Sequence, residues 1–182
     1  MSKTKRIEEM IEEFLEISKY SLSTLSLMYS TIDLTLLIEQ VMFELQPLFK
    51  SKQLSYSLDL PLHILLSGDP DKLQRVFDNI LRNAILYSDP KTLLEIKGHI
   101  KEEKIILSFS NQGPTIPLEK LQHVFEQFYR LDSARSSNGS GLGLAIAKQL
   151  VLLHQGEIRA TSQEGITTFE IILPLSKKVE NL

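Results

Sequence analysis

The stretch FYRLDSARSSNGSGLGLAIAKQL, residues 128–150, decides the fold. Its first half is polar and aperiodic, its second half is apolar and helix-forming, and Gly139, Gly141 and Gly143 alternate across the junction. Glycine lets a backbone pass close to a ligand, and a helix N-terminus offers unpaired N–H groups to an anion. The same glycines would also suit a flexible joint, so the neighbouring segments must choose. A dinucleotide-binding reading fails on context, because a polar loop rather than a strand precedes them.

Upstream, GDPDKLQRVFDNILRNAILYS (68–88) predicts a helix over 69–88. Asp69 can cap it, Pro70 suits its first turn and Pro90 closes the segment. Asn79, Asn83, Leu86 and Tyr87 then share one face, while Val76, Phe77, Ile80, Leu81 and Ala84 supply packing. Two asparagines one turn apart could be half-exposed polar residues. They are also neutral oxygen donors, suited to a Mg²⁺ ion already carried by phosphates. SNQGPTIP (110–117) places Asn111 at a strand end, followed by a Gly113–Pro114 turn. FEQFYR (125–130) sets three aromatics and Arg130 before the loop. Each segment alone is a weak signal; their order is a strong one.

The remaining chain supplies a frame for these segments. Residues 34–51 predict an amphipathic helix and 54–60 a strand. Residues 93–100 and 104–111 form a hairpin, 118–128 a short helix, and 142–154 a helix stopped at Gly156. GEIRATSQ and TTFEIILPL close the pattern as two strands. Helices mixed with largely hairpin-connected strands indicate an α+β fold, a two-layer α/β sandwich rather than a βαβ dinucleotide fold. Near the start, Ile7, Met10, Ile11, Phe14, Leu15 and Ile17 draw an apolar stripe along a charged helix, with a boundary near Tyr29–Thr31.

Composition excludes several classes. A net charge of −3 gives no electrostatic reason to expect a nucleic-acid partner. The absence of cysteine excludes disulfides and thiolate metal sites. No apolar run approaches the roughly 18 residues that span a bilayer, and no signal-peptide core follows MSKTKR. The piece reads as soluble.

In sequence order, NILRNAILYS, NQGPTIP, FEQFYR and GSGLGLAIAKQL resemble the asparagine, first glycine, phenylalanine and second glycine boxes of sensor histidine kinases. GDPDKLQRVFDNIL and LHQGEI resemble the flanks of the first and last boxes. The resemblance covers residues 31–175 as a catalytic ATP-binding domain of the GHKL (Bergerat) type, a mixed sheet backed by helices. Residues 1–30 resemble the second helix of the family's dimerisation hairpin, which leaves 176–182 as a tail.

The resemblance implies ATP and Mg²⁺ as ligands. It places Asn83 on the metal, Asn79 beside the phosphates, and Tyr87 near the adenine or ribose. Asn111 takes the position of an adenine-binding aspartate, with Gly113 keeping that wall open. Arg130 would face the γ-phosphate, making it and Asn83 the catalytic candidates. Arg135, Gly139, Gly141, Leu142 and Gly143 belong to a lid over the phosphates.

Three departures from the family pattern predict modest nucleotide affinity. Asn111 is a neutral acceptor where a charged one is usual, Thr115 stands for a glycine, and Leu86 for a lysine or arginine. The implied activity is transfer of the ATP γ-phosphoryl group to a histidine on the dimerisation hairpin, then relay to a response regulator. None of the four histidines is followed by Glu or Asp, so the acceptor is expected elsewhere, in a homodimeric membrane sensor of which this is a cytoplasmic portion. The piece itself is expected to be monomeric or weakly associating. A nucleotide-binding-only module is the alternative. So is a related ATPase or anti-sigma serine kinase, although the hydrolytic relatives place a glutamate where Asn79 stands. Asn111 with FYRLDSARSS is also similar to sensors of the VanS type, which respond to glycopeptide antibiotics.

Overall fold

The computed structural model describes residues 27–130 and 140–175, together with Ile11 and Leu15, which are helical and exposed. The rest of the N-terminal stripe, Arg135, Gly139 and the tail from residue 176 lie outside the described residues.

Five strands form one sheet in the order β2 (Ser55–Asp59), β4 (Leu93–Lys101), β5 (Lys104–Gln112), β7 (Ile166–Pro174), β6 (Glu157–Gln163). The β2–β4 pair is parallel and the other three pairs are antiparallel, so the sheet is mixed as expected. The β4–β5 hairpin turns through Glu102 and Glu103, both at positive φ, in the geometry that matches strand twist. Glu164 and Gly165 do the same between β6 and β7.

Alternation gives the sheet its core face. Ile105, Leu107 and Phe109 of β5 are fully buried beside Phe169, Ile171 and Leu173 of β7. The covering layer is α3 (Pro70–Tyr87) with α5 (Gly143–Leu153) beside it, and the Phe77 and Phe109 rings meet at 6.0 Å. Asp69 caps α3 by accepting from the Lys72 N–H at 3.2 Å, with Pro70 in the first turn, as predicted. The crossover from β2 to β4 carries α3 over the sheet face.

Four local expectations are corrected. The helix read over 34–51 is two helices, α1 (Leu34–Glu44) and α2 (Gln46–Lys52), because Pro47 cannot donate back to residue 43 and its ring clashes there. The helix read over 118–128 shrinks to one turn, α4 (Leu118–Leu121). Beyond it the bonds tighten to three-residue spacing, such as His123 N–H to the Lys120 carbonyl, and Phe128 at φ 62° ends the run. At the end of α5 the left-handed residue is Gln155, at φ 59°. Gly156 is required instead by a close pass, since a Cβ there would lie 2.6 Å from the Ile172 carbonyl oxygen. Finally, β1 (Ser30–Asp33) and β3 (Leu65–Gly68) pair antiparallel as a separate ribbon that was not anticipated. Four-residue strands are too short to show a period, and only their pairing defines them.

The junction near residue 29 is anchored on that ribbon's side. The Met28 N–H donates to Asp69 Oδ2 at 3.0 Å, and the Tyr29 ring lies 6.0 Å from the His154 ring. His154 is buried; Nδ1–H donates to the Leu150 carbonyl and Nε2 accepts the Asp69 N–H at 3.0 Å. That arrangement needs the neutral ring, and burial pushes its pKa down. His154 is therefore a neutral, structural histidine at the end of α5.

Candidate functional site

The alternation that fills the core also builds the floor of a cleft. One step beyond Phe109 and Phe169, the same inward face presents Asn111 and Thr167, which are paired across β5 and β7 and buried. The face of α3 that carries Asn79, Asn83 and Tyr87 forms one wall. The start of α5 and the segment around Tyr129 and Arg130 form the other.

The cleft has two halves that share Asn83, Tyr87, Val124, Tyr129, Arg130 and Leu144. The smaller half, about 260 Å³, is mostly apolar and ends on Asn111, Thr115, Ile116, Thr167 and Phe169. It suits a flat apolar group with one hydrogen-bonding edge. The larger half, about 740 Å³, is also mostly apolar by area, but its lining adds Asn79, Arg82, Lys52, Gly141 and Gly143 beside Leu86. There α5 begins at Gly143, which lines the cavity, and its N-cap residue makes no side-chain bond, so the positive end of the helix dipole lies at this half. This half suits an anion.

The glycines of the opening stretch have different reasons. Gly141 sits at φ +76°, and a Cβ would lie 2.9 Å from the backbone carbon of Phe128. Its carbonyl accepts the Phe128 N–H at 2.9 Å, so both ends of the segment between them are tied together. Gly143 passes over Asn79, where a Cβ would lie 3.2 Å from Oδ1. Asn79 Nδ2 is buried and has no partner among the described residues. A buried amide N–H without an acceptor costs free energy, and an anionic oxygen in this half of the cleft would satisfy it.

Most predicted site residues therefore meet: Asn79, Asn83, Tyr87, Asn111, Arg130, Gly141 and Gly143 all line the cleft. Leu142 is a correction. Its side chain is fully buried in the core and its N–H already goes to Ser140 Oγ at 3.2 Å, so it anchors the helix start rather than facing a ligand. Gly113 stands behind the wall: a Cβ would lie 2.2 Å from the Tyr87 carbonyl oxygen, so its role is to let β5 pass the end of α3. Thr115 lines the smaller half, and its Oγ1 also accepts the Gly165 N–H at 2.8 Å. Lys52, Thr167 and Phe169 were missed. The alternation of β7 could have found the last two; nothing local marks Lys52.

Among the described residues no cluster of three His, Asp or Glu side chains could hold a metal ion alone. A metal here needs ligands from the bound molecule, and a neutral asparagine supports that arrangement.

Residues 68–177 match the family described as histidine kinase-, DNA gyrase B-, and HSP90-like ATPase. The chain belongs to this ATPase family. Within it, the sensor protein VanS of Enterococcus faecium is 42% identical over 176 residues, 96% of this chain and 46% of VanS. The chain spans about half the length of the curated relatives it matches. The histidine kinase AdeS of Acinetobacter baumannii has the same fold, with a TM-score of 0.81 at 22% identity over 96% of this chain and 81% of AdeS. The mycobacterial sensor histidine kinase MprB aligns with a TM-score of 0.71 at 31% identity, over 81% of this chain and 97% of MprB. The family fold is thus that of histidine kinase catalytic domains, a mixed sheet backed by helices.

Proposed function

We propose that the cleft binds ATP with Mg²⁺ and that, within a longer sensor kinase, this domain passes the γ-phosphoryl group to a histidine carried on a dimerisation hairpin. The observation that carries the reading is Asn79: a buried amide nitrogen with no partner among the described residues, beside the start of α5, in the half of the cleft that suits an anion. Family membership supports ATP as the ligand. The adenine fits the smaller half, with Asn111 accepting from its amino group and Tyr87 at its edge or at the ribose. The triphosphate lies toward Asn79, Gly141 and Gly143, and Asn83 stands between the halves as the protein's ligand to the metal. Bound Mg²⁺ supplies charge neutralisation on the phosphates.

In the transfer, the bond from the γ-phosphorus to the bridging oxygen of ADP breaks and a bond to an imidazole nitrogen forms. The imidazole's N–H proton passes to the carboxylate expected to follow the acceptor histidine on the hairpin, and ADP leaves with the bridging oxygen. Arg130, which lines both halves, is the side chain that stabilises charge on the moving group. Residues 31–175 form the catalytic unit in this reading, 1–30 part of the hairpin and 176–182 a tail. The response regulator is the downstream partner, and the unit lies on the cytoplasmic side of a membrane sensor. Similarity to VanS supports a glycopeptide-resistance setting.

Calorimetric titration with a non-hydrolysable ATP analogue tests the site. Binding is expected with Mg²⁺, weaker with chelator, and Asn83→Ala is expected to remove the difference between the two. No binding under either condition would overturn the assignment.

A further inference from the structure

Resting on that reading of the cleft, we propose that Lys52 is a further nucleotide-binding residue, its ammonium facing the polyphosphate from α2. Lys52 is the last residue of α2, and its Nζ donates to the carbonyl oxygens of Leu86 and, at 3.0 Å, Ser88. These carbonyls close the C-terminal end of α3, where helix carbonyls lack intrahelical partners and carry partial negative charge. The two bonds hold the ammonium at a defined place on the rim of the larger half of the cleft. Both acceptors are neutral, so the bonds position the charge without cancelling it.

The face of α3 that lines this half offers Asn79, Asn83 and Leu86, none of them charged. Arg82 also reaches it, but its guanidinium is engaged by Asp78 at 2.7 Å. A triphosphate seated here needs cations from outside α3, and α2 brings one. Partial burial pushes the Lys52 pKa down, with Asp89 pulling it back. An ammonium in that state gains more from an approaching phosphate than a fully hydrated one does.

Lys52 could instead serve only to cap α3, and the two roles separate by ligand. Lys52→Gln keeps a donor for the carbonyls and removes the charge; Lys52→Met removes both. In the whole chain, Kd is measured for ATP, ADP and adenosine, with thermal unfolding recorded without nucleotide. Lys52→Gln is expected to weaken ATP and ADP about tenfold, the loss of one charge-assisted contact, and to leave adenosine unchanged. Lys52→Arg should retain affinity, and Leu86→Lys added to Lys52→Gln should recover most of it. ATP affinity within twofold of the parent in both Lys52→Gln and Lys52→Met would overturn the proposal. Equal weakening of ATP and adenosine would also overturn it and leave a capping role. If the parent chain binds adenosine but gains nothing from phosphates, the reading of the larger half as the phosphate site fails, and this inference with it.

Discussion

At Gly113 an added methyl group would meet the Tyr87 carbonyl oxygen at 2.2 Å, a backbone atom that no rotamer change can move. At Gly143 it would meet Asn79 Oδ1 at 3.2 Å, the end of a side chain that can give way. The two alanine substitutions should therefore separate. Gly113→Ala is expected to cost about 1–3 kcal/mol in urea denaturation, the range for an overpacked site. Gly143→Ala should cost less than about 1 kcal/mol, yet weaken nucleotide binding because it turns the Asn79 amide. Equal stability losses would show that the contact at Gly113 relaxes by backbone movement. Asn79 also bears on hydrolysis: an amide cannot take a proton from water, so the nucleotide-bound chain is expected to release phosphate slowly. A phosphate-release assay checks this, and Asn79→Glu tests whether a carboxylate at that place raises the rate.

At the scale of elements, α3 organises the domain because two other segments meet its capping residue. Asp69 accepts from the Lys72 N–H and from the Met28 N–H, and gives its own N–H to His154. Asp69→Ala should lose about 1 kcal/mol for the cap alone, and more because the Met28 N–H loses its acceptor. Thermal denaturation measures the loss. Helix α3 was legible to within a residue, since cap, proline and the apolar face of Val76, Phe77, Ile80, Leu81 and Ala84 agree along one segment; the structure adds Leu73 and Ile85 to that face. Helix α4 was not: the apolar residues of 118–128 suit a helix, yet Phe125 packs on Phe169 at 6.2 Å while Phe128 takes a left-handed backbone to meet Gly141. Tertiary contacts overrode local spacing there.

At the scale of the whole molecule, acid should loosen the domain through His154. Burial holds its pKa below the ordinary value of 6.5, against the opposing pull of the Leu150 hydrogen bond and of Asp69. Below that value the unfolded chain binds a proton that the folded chain refuses. Stability is then complete above pH 6.5 and falls as the pH drops toward the folded pKa. The slope is at most about 1.4 kcal/mol per pH unit for this one group. Urea midpoints across that range should decline, and His154→Gln should flatten the decline; an unchanged slope would remove His154 from the account. In trans, the chain is expected to phosphorylate a separately supplied acceptor hairpin from a cognate kinase, read as acid-labile label on that hairpin. Light scattering is expected to show a monomer at low micromolar concentration.

The chain by itself determined the sheet's alternation, helix α3 and the order of the site segments, because these depend on period, capping and glycine placement within one stretch. Alternation alone carries Asn111 onto the face that becomes the floor of the cleft. Tertiary structure decided what depends on distant partners: the parallel pairing of β2, the β1–β3 ribbon, and the withdrawal of Leu142 and Gly113 from the cavity. It also decided where Lys52 stands. Thirty-four residues separate Lys52 from the Leu86 carbonyl that holds it, and no local rule reaches that far. A residue's place in a binding site is set by which backbone atoms remain unpaired nearby, and those are known only once the elements have packed.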